Sequence, residues 1–276
     1  WWEQALPDPD YRATIQWEWE RRLEEASFLQ TEIQPMHVEI AANDGTVKYM
    51  RVHATVFGDL TFITFVDLTE RQKAESARRL NEMRLEALLN LNQMTKASMK
   101  ELTDFVLEEA VRLTGSKIGY LAFMNEDESV LTMYSWSKTA MQECAMREKP
   151  LIYPVKDTGL WGEAVRQRSA VITNDYDAPN PLKKGYPEGH VPIRRHMNIP
   201  VMDEGRIVLV AGVGNKNEPY DNSDVRQLTL LMDGMWRLLQ RRKHEEEIRH
   251  MRSYLQNVVD SMPTMLIGVD LDGTII

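Results

Sequence analysis

Apolar and polar residues alternate along two early stretches of the chain, MHVEIAA (36–42) and KYMRVHATVF (48–57). That period of two predicts strands with one buried face. Between them Asn43-Asp44-Gly45-Thr46 supplies a hairpin turn, and Gly58-Asp59 makes a second turn before the apolar run LTFITFV (60–66). Ahead of the strands the period changes. After a turn rich in Pro and Asp, Tyr11, Ile15, Trp19 and Leu23 recur every four residues and share one helical face. One helix and three strands enclose too little core to stand alone, so residues 1–70 are expected to be the rear part of a larger α+β unit. Thr69 and Gln72 have capping-box spacing, and Leu80, Met83, Ala87, Leu91 and Met94 form a narrow stripe suited to a helix–helix seam. A linker helix over 71–98 follows from this.

Residues 99–241 carry the most complete pattern. An amphipathic helix in ELTDFVLEEAVRLTG leads to strands at KIGYLAFMN and SVLTMYSWS, joined by an Asn-Glu-Asp-Glu turn. KPLIYPV, a short helix in GLWGEAVRQRS and a short strand AVITN come next. An irregular loop from Asp175 to about Arg195 then precedes the hairpin HMNIPVM/RIVLVAGVGN and a closing helix. A loop of that length inside a compact domain is expected to serve binding. The closing helix continues into a second linker over 242–262. Leu228, Leu231, Met235 and Leu238 keep one 3–4 spacing, Ile248, Met251, Leu255, Val258 and Met262 another, and the two series slip by one residue across RRKHEEE. Pro263 ends the helix, and LIGVDLDGTII (266–276) reads as a strand, a turn and a new strand.

Charge and composition narrow the function classes. A net charge of −9 leaves no basic stripe for nucleic acid, and no apolar run is long enough to span a membrane. A single cysteine, Cys144, rules out an intrachain disulfide framework and suits a reducing, cytoplasmic setting. A start at Trp1 and a stop just after a turn are expected of a piece cut from something longer.

Several of these strings resemble known families. VEIAANDGTVKYMRVHATVFGDLTFITFVDLTERQKAE is similar to the last three strands of a PAS domain, with DLTER (67–71) at the step from sheet to signalling helix. NIPVMDEGRIVLVAGVGNKNEPYDNSDVRQLTLL, with the order of elements before it, resembles a GAF domain, an antiparallel sheet flanked by helices. LQNVVDSMPTMLIGVDLDGTII resembles the opening of a second PAS domain. The resemblance implies an α+β sensor: the C-terminal part of a PAS domain (1–70), a linker helix (71–98), a GAF domain (99–241), a second linker helix (242–262) and the start of another PAS domain (263–276). It further implies a parallel homodimer held by coiled-coil helices, and an output that is a histidine kinase of a two-component system. Nothing in the chain resembles the kinase's own domains, so the chain itself is expected not to be an enzyme.

Candidate chemistry gathers in the GAF-like block. Its run EC…EKPL…YPV…GLWGE…GYPEGH resembles the haem-binding GAF domains of archaeal redox-sensor kinases. That resemblance implies one pocket holding Cys144 and His190 on opposite walls, with His190 as haem-iron ligand and Cys144 as ligand or attachment point. Trp161 would line it, and His196 is the alternative ligand. A small-molecule ligand other than haem fits the same pocket. The plainer reading, Cys144 as a small buried apolar side chain and His190 as a loop-surface residue, ranks ahead on the residues alone. A ligand-free GAF dimerisation module is a further alternative. The Asp270-Leu-Asp272-Gly-Thr274 string matches the nucleophile motif of haloacid-dehalogenase phosphatases, but that chemistry needs a downstream sheet with a lysine and Mg²⁺-binding carboxylates. An Asp-Gly turn is preferred there. His244 and His250 in HEEEIRH sit about 240° apart round a helix and do not form a zinc pair.

Overall fold

The computed structural model describes residues 1–29, 32–57, 60–144, 151–185, 189–261 and 272. They fall into two compact units, Trp1–Glu82 and Met83–Ile276.

In the first unit a short helix α1 (Trp2–Ala5) precedes α2 (Pro9–Leu29). The Asp8 carboxylate accepts the Asp10 and Tyr11 amides at 2.9 Å each and satisfies the orphan donors of the α2 N-terminus. Strands β1 (Met36–Ala41), β2 (Val47–Phe57) and β3 (Leu60–Asp67) form an antiparallel meander in the order β1-β2-β3. Gly45, at φ +81°, closes the first hairpin, where Asp44 accepts the Thr46 amide at 2.9 Å. The α2 face expected from the four-residue spacing covers the sheet: Ile15 packs with Met36, Val38 and Val52, and Tyr11 and Trp19 lean on the same cluster. The Tyr11 hydroxyl accepts the Glu39 amide at 2.9 Å. β3 lies outside that cover, and all eight of its residues are exposed, including Phe62 and Ile63.

A 25-residue helix α3 (Thr69–Gln93) follows directly. Its start differs from the expected Thr69/Gln72 box. Asp67 accepts the Thr69 amide, while the Thr69 hydroxyl accepts the Tyr49 amide, both at 2.9 Å. The reason lies in the sheet: β3 pairs with β2 only as far as Met50↔Asp67, so Tyr49 turns to the helix start, where Leu68 also donates to its carbonyl. Of the predicted α3 stripe, Ala87 and Leu91 are buried.

The second unit is an α+β sandwich. Helix α4 (Met99–Leu113) opens with a reciprocal capping box between Ser98 and Glu101. Six strands follow: β4 (Ile118–Met124), β5 (Val130–Trp136), β6 (Ile152–Pro154), β7 (Val171–Thr173), β8 (His196–Asp203) and β9 (Arg206–Gly214). They pair antiparallel in the order β6-β5-β4-β9-β8-β7. Two short helices decorate the sheet, α5 (Lys138–Glu143), which the sequence pattern did not announce, and α6 (Glu163–Arg166). The last described helix is α7 (Asn222–Ser261), unbroken over 40 residues across the expected slip. Helices α4 and α7 pack on each other, α4 against β4 and β5 and α7 against β8. Leu228, Leu231, Met235 and Leu238 of α7 are buried. Beyond them Ile248, Met251, Tyr254, Leu255 and Val259 are exposed. The Arg242 guanidinium donates to the carbonyls of Met94 and Ala97, tying α7 to the turn between α3 and α4. Added bulk at Gly234 of α7 would press on Leu88 of α3. Among the described residues no helix is long and apolar enough to cross a membrane. The stretch expected to open a second sensor unit lies outside the described residues, Asp270 included; Asp272 alone is described, in a turn.

The two halves of α7 predict opposite responses to truncation. Leu231→Ala leaves a cavity under the sheet and is expected to cost about 2–5 kcal/mol in urea unfolding. Leu255→Ala, on the exposed half, is expected to stay within about 0.5 kcal/mol in dilute solution.

Candidate functional site

The sheet face opposite α4 and α7 carries a pocket with a cavity of about 210 Å³. Strand alternation decides which side chains reach it. On β8, His196 and Asn198 share the pocket face, while buried Met197 and Ile199 alternate with them. On β4, Tyr120 faces the pocket, and a side chain at the neighbouring Gly119 would press on Leu107 and Val111 of α4. Between those strands runs β9, where Gly212 pairs with Tyr120 on one side and Asn198 on the other.

That register brings a polar relay across the bare glycine. The Tyr120 hydroxyl donates to Asn198 Oδ1 at 2.8 Å, and Asn198 Nδ2 meets His196 Nδ1 at 2.7 Å. Any Cβ at Gly212 would collide with both the Tyr120 ring and Asn198 Oδ1. Burial alone holds the Tyr120 phenol far above its ordinary range. Burial also pushes His196 down to about 4, so it is neutral at physiological pH. His196 is 8% exposed, its Nε2 has no hydrogen-bond partner, and the Tyr176 ring packs edge-on at 5.6 Å.

Aromatic rings build the adjacent wall. Trp161 meets Tyr153 at 5.2 Å and Tyr120 at 5.9 Å, both edge-on. Its turn is clamped by Arg166, which donates to the carbonyls of Val155 and Gly159 at 2.9 and 2.7 Å and pairs with Glu163. Half-buried Cys144 caps the C-terminus of α5, whose first turn is capped in turn by Ser137. Its thiol borders the same pocket, and the Tyr153 phenol is raised by burial and then by the charge of Cys144. From the loop before β8 comes His190, whose Nδ1 is 2.7 Å from the Val191 carbonyl. A carbonyl only accepts, so Nδ1 carries the proton and Nε2 the lone pair.

Cys144, Trp161, His190 and His196 therefore all line one pocket. Arg195, at the end of the loop, donates to the backbone carbonyls of Asn174 and Lys216 and staples loops together. Tyr120 and Asn198, neither of them singled out in the sequence, turn out to be pocket groups. The signal was the paired alternation of His196/Asn198 with Gly212/Gly214, legible only once the strand register is known.

Haem can be weighed against these residues. Among the described residues no group of three or more His, Cys, Asp or Glu could hold a bare metal ion. A group that brings its own equatorial ligands needs only one or two protein donors, and His190 and Cys144 are such donors in an aromatic, apolar pocket. His190's Nδ1–H on a carbonyl is the second-shell bond that orients metal-ligating histidines. The cavity is below the roughly 300–1,000 Å³ common for ligand pockets. As it stands it takes a small ligand, and a haem only with its walls drawn apart.

The pH dependence of stability follows from His196. Its folded value of about 4 lies below the ordinary imidazole value of 6.5, so the unfolded chain takes up the proton first. The contribution is complete above 6.5 and is lost as pH falls towards 4, by about 2–3 kcal/mol over that window. Urea unfolding of the wild type and His196→Gln at pH 7 and 4.5 checks this: the variant is expected to show the shallower loss.

Residues 96–240 match the GAF domain family. The methyl sulfide methyltransferase-associated sensor of Methanosarcina acetivorans is 63% identical over 209 residues, 74% of this chain and 21% of that protein. The chain thus spans about a fifth of the length of that curated relative. Among solved structures, bacteriophytochrome RpBphP3 from R. palustris aligns with a TM-score of 0.49 at 14% identity, over 88% of this chain and 53% of that one. Free methionine-R-sulfoxide reductase from Neisseria meningitidis aligns with a TM-score of 0.46 at 14% identity, over 58% of this chain and 87% of that one. With the match to residues 96–240 spanning more than half its length, the chain belongs to the GAF domain family.

Proposed function

We propose that this chain is the sensory segment of a longer signal-transduction protein, with the GAF pocket sensing a small ligand or redox state, haem being one candidate, and passing its state along the helices that enter and leave the domain. The carrying observation is the pocket that brings Cys144 and His190 to one aromatic-walled cavity with Trp161 and His196. His190 would hold the iron through Nε2, and Cys144 would serve as second ligand or attachment point. Bound haem supplies redox and gas-binding chemistry; the chain's residues orient it and exclude water. The relative's name supports the sensing role.

Around this pocket we read residues 1–70 as the end of a PAS domain, 71–98 and 242–262 as signalling helices, and 263–276 as the start of another PAS domain. The output is a histidine kinase elsewhere in the parent protein, the setting cytoplasmic, and the chain itself non-catalytic. The exposed stripe Ile248, Met251 and Leu255 supports pairing of α7 in a parallel homodimer. The modest cavity favours, as second reading, a GAF module that dimerises without ligand.

An absorption spectrum of the purified chain after incubation with haemin separates the two. The expected result is a Soret band that is lost or shifted in His190→Ala. Unchanged spectra in both His190→Ala and Cys144→Ala would overturn the site, and a colourless protein with no gain in thermal stability from metabolites would favour the ligand-free module. Signal transfer is checked by disulfide cross-linking of Ile248→Cys, Met251→Cys and Leu255→Cys. Haemin is expected to change their relative efficiencies, and equal cross-linking at all three with and without it argues against a helix rearrangement.

A further inference from the structure

We infer that His196 is the ligand-reading donor of the pocket and that the bound molecule presents a carboxylate or carbonyl oxygen to its Nε2–H, an inference that rests on the ligand-binding reading above. The relay fixes the tautomer. Because the Tyr120 hydroxyl donates to Asn198 Oδ1, the amide is turned so that Nδ2 faces His196. An amide nitrogen has protons to give and no lone pair to offer, so His196 Nδ1 accepts. The ring's proton is then on Nε2, the nitrogen without a partner on a side chain only 8% exposed. A buried donor left unmade costs about 1–3 kcal/mol, which an acceptor on a ligand offsets.

The relay is a built feature. It depends on Gly212 having no side chain, and three neighbouring strands contribute to it. It also divides the labour between the two pocket histidines. His190 gives its Nδ1 proton to the Val191 carbonyl and keeps a lone pair on Nε2; His196 does the reverse. His196 is therefore unsuited to binding a metal and suited to recognising oxygen. The rings of Trp136, Tyr153, Trp161 and Tyr176 around it select a flat apolar body, so the ligand class is a planar, largely apolar molecule carrying an acceptor oxygen.

Two measurements on the whole chain test this. Long-range proton–nitrogen NMR of the histidine-labelled chain without ligand should show His196 protonated at Nε2 and bare at Nδ1; the opposite tautomer overturns the inference. Binding of haemin and of metal-free protoporphyrin, both bearing carboxylates, should then weaken about tenfold in His196→Leu, the scale of one lost hydrogen bond. His196→Gln, which retains an N–H donor, should recover most of that, and the Soret position of the haemin complex should not move. If His196→Leu alters only the haemin complex and shifts its Soret band, His196 is an iron ligand and the inference fails. A wild-type chain that takes up neither porphyrin refutes the haem reading instead. Benzoate is then the probe: a shift of the His196 Nε2–H signal supports the donor role, and no shift overturns it.

Discussion

Burying a tyrosine hydroxyl, an asparagine amide and an imidazole on the pocket face of a sheet is unfavourable unless each finds a partner. Here the partners stand on strands that are not neighbours, with β9 between them, so the bond from Tyr120 to Asn198 has to pass over a residue with no side chain. Gly212 supplies that gap. The pocket inherits its polarity from this one vacancy: it lets Tyr120 orient Asn198, Asn198 set the His196 tautomer, and His196 place a donor among aromatic rings. Replacing the glycine would pack the floor of the cavity and scatter the relay together.

The layer behind the sheet has a different logic. Alternation sends Met197 and Ile199 to the face opposite His196 and Asn198, so the same strand carries the pocket on one side and the core on the other. The sheet is one residue thick between ligand and helix. Only this strand separates the relay from the buried face of α7, because α7 packs on β8.

Much of the fold was legible from periodicity. The alternating runs became β1 and β2, the Asn-Asp-Gly turn became their hairpin, and the four-residue spacing of Tyr11, Ile15 and Trp19 became the covering face of α2. Capping was harder to read, since Thr69 was claimed by Tyr49 of a paired strand, a competitor invisible in local sequence. Helix α5 escaped notice because six residues are too few to display a period. For the site, the resemblance to haem-binding GAF domains pointed to Cys144 and His190, with His196 as the alternative, while residue type alone favoured the plainer reading. Asn198 and Gly212 carry none by themselves, and they matter only through a register between β8 and β9 that sequence spacing does not disclose.

Arg242 has a mechanical consequence. By gripping the carbonyls of Met94 and Ala97 it makes the turn between α3 and α4 a fulcrum for α7. From there to Ser261 the helix extends about 28 Å as a nearly rigid arm. A tilt of about 5° at the fulcrum displaces the far end by about 2.5 Å, given the helical rise per residue. Any tilt of α7 at that grip is thus magnified at the tip of the arm.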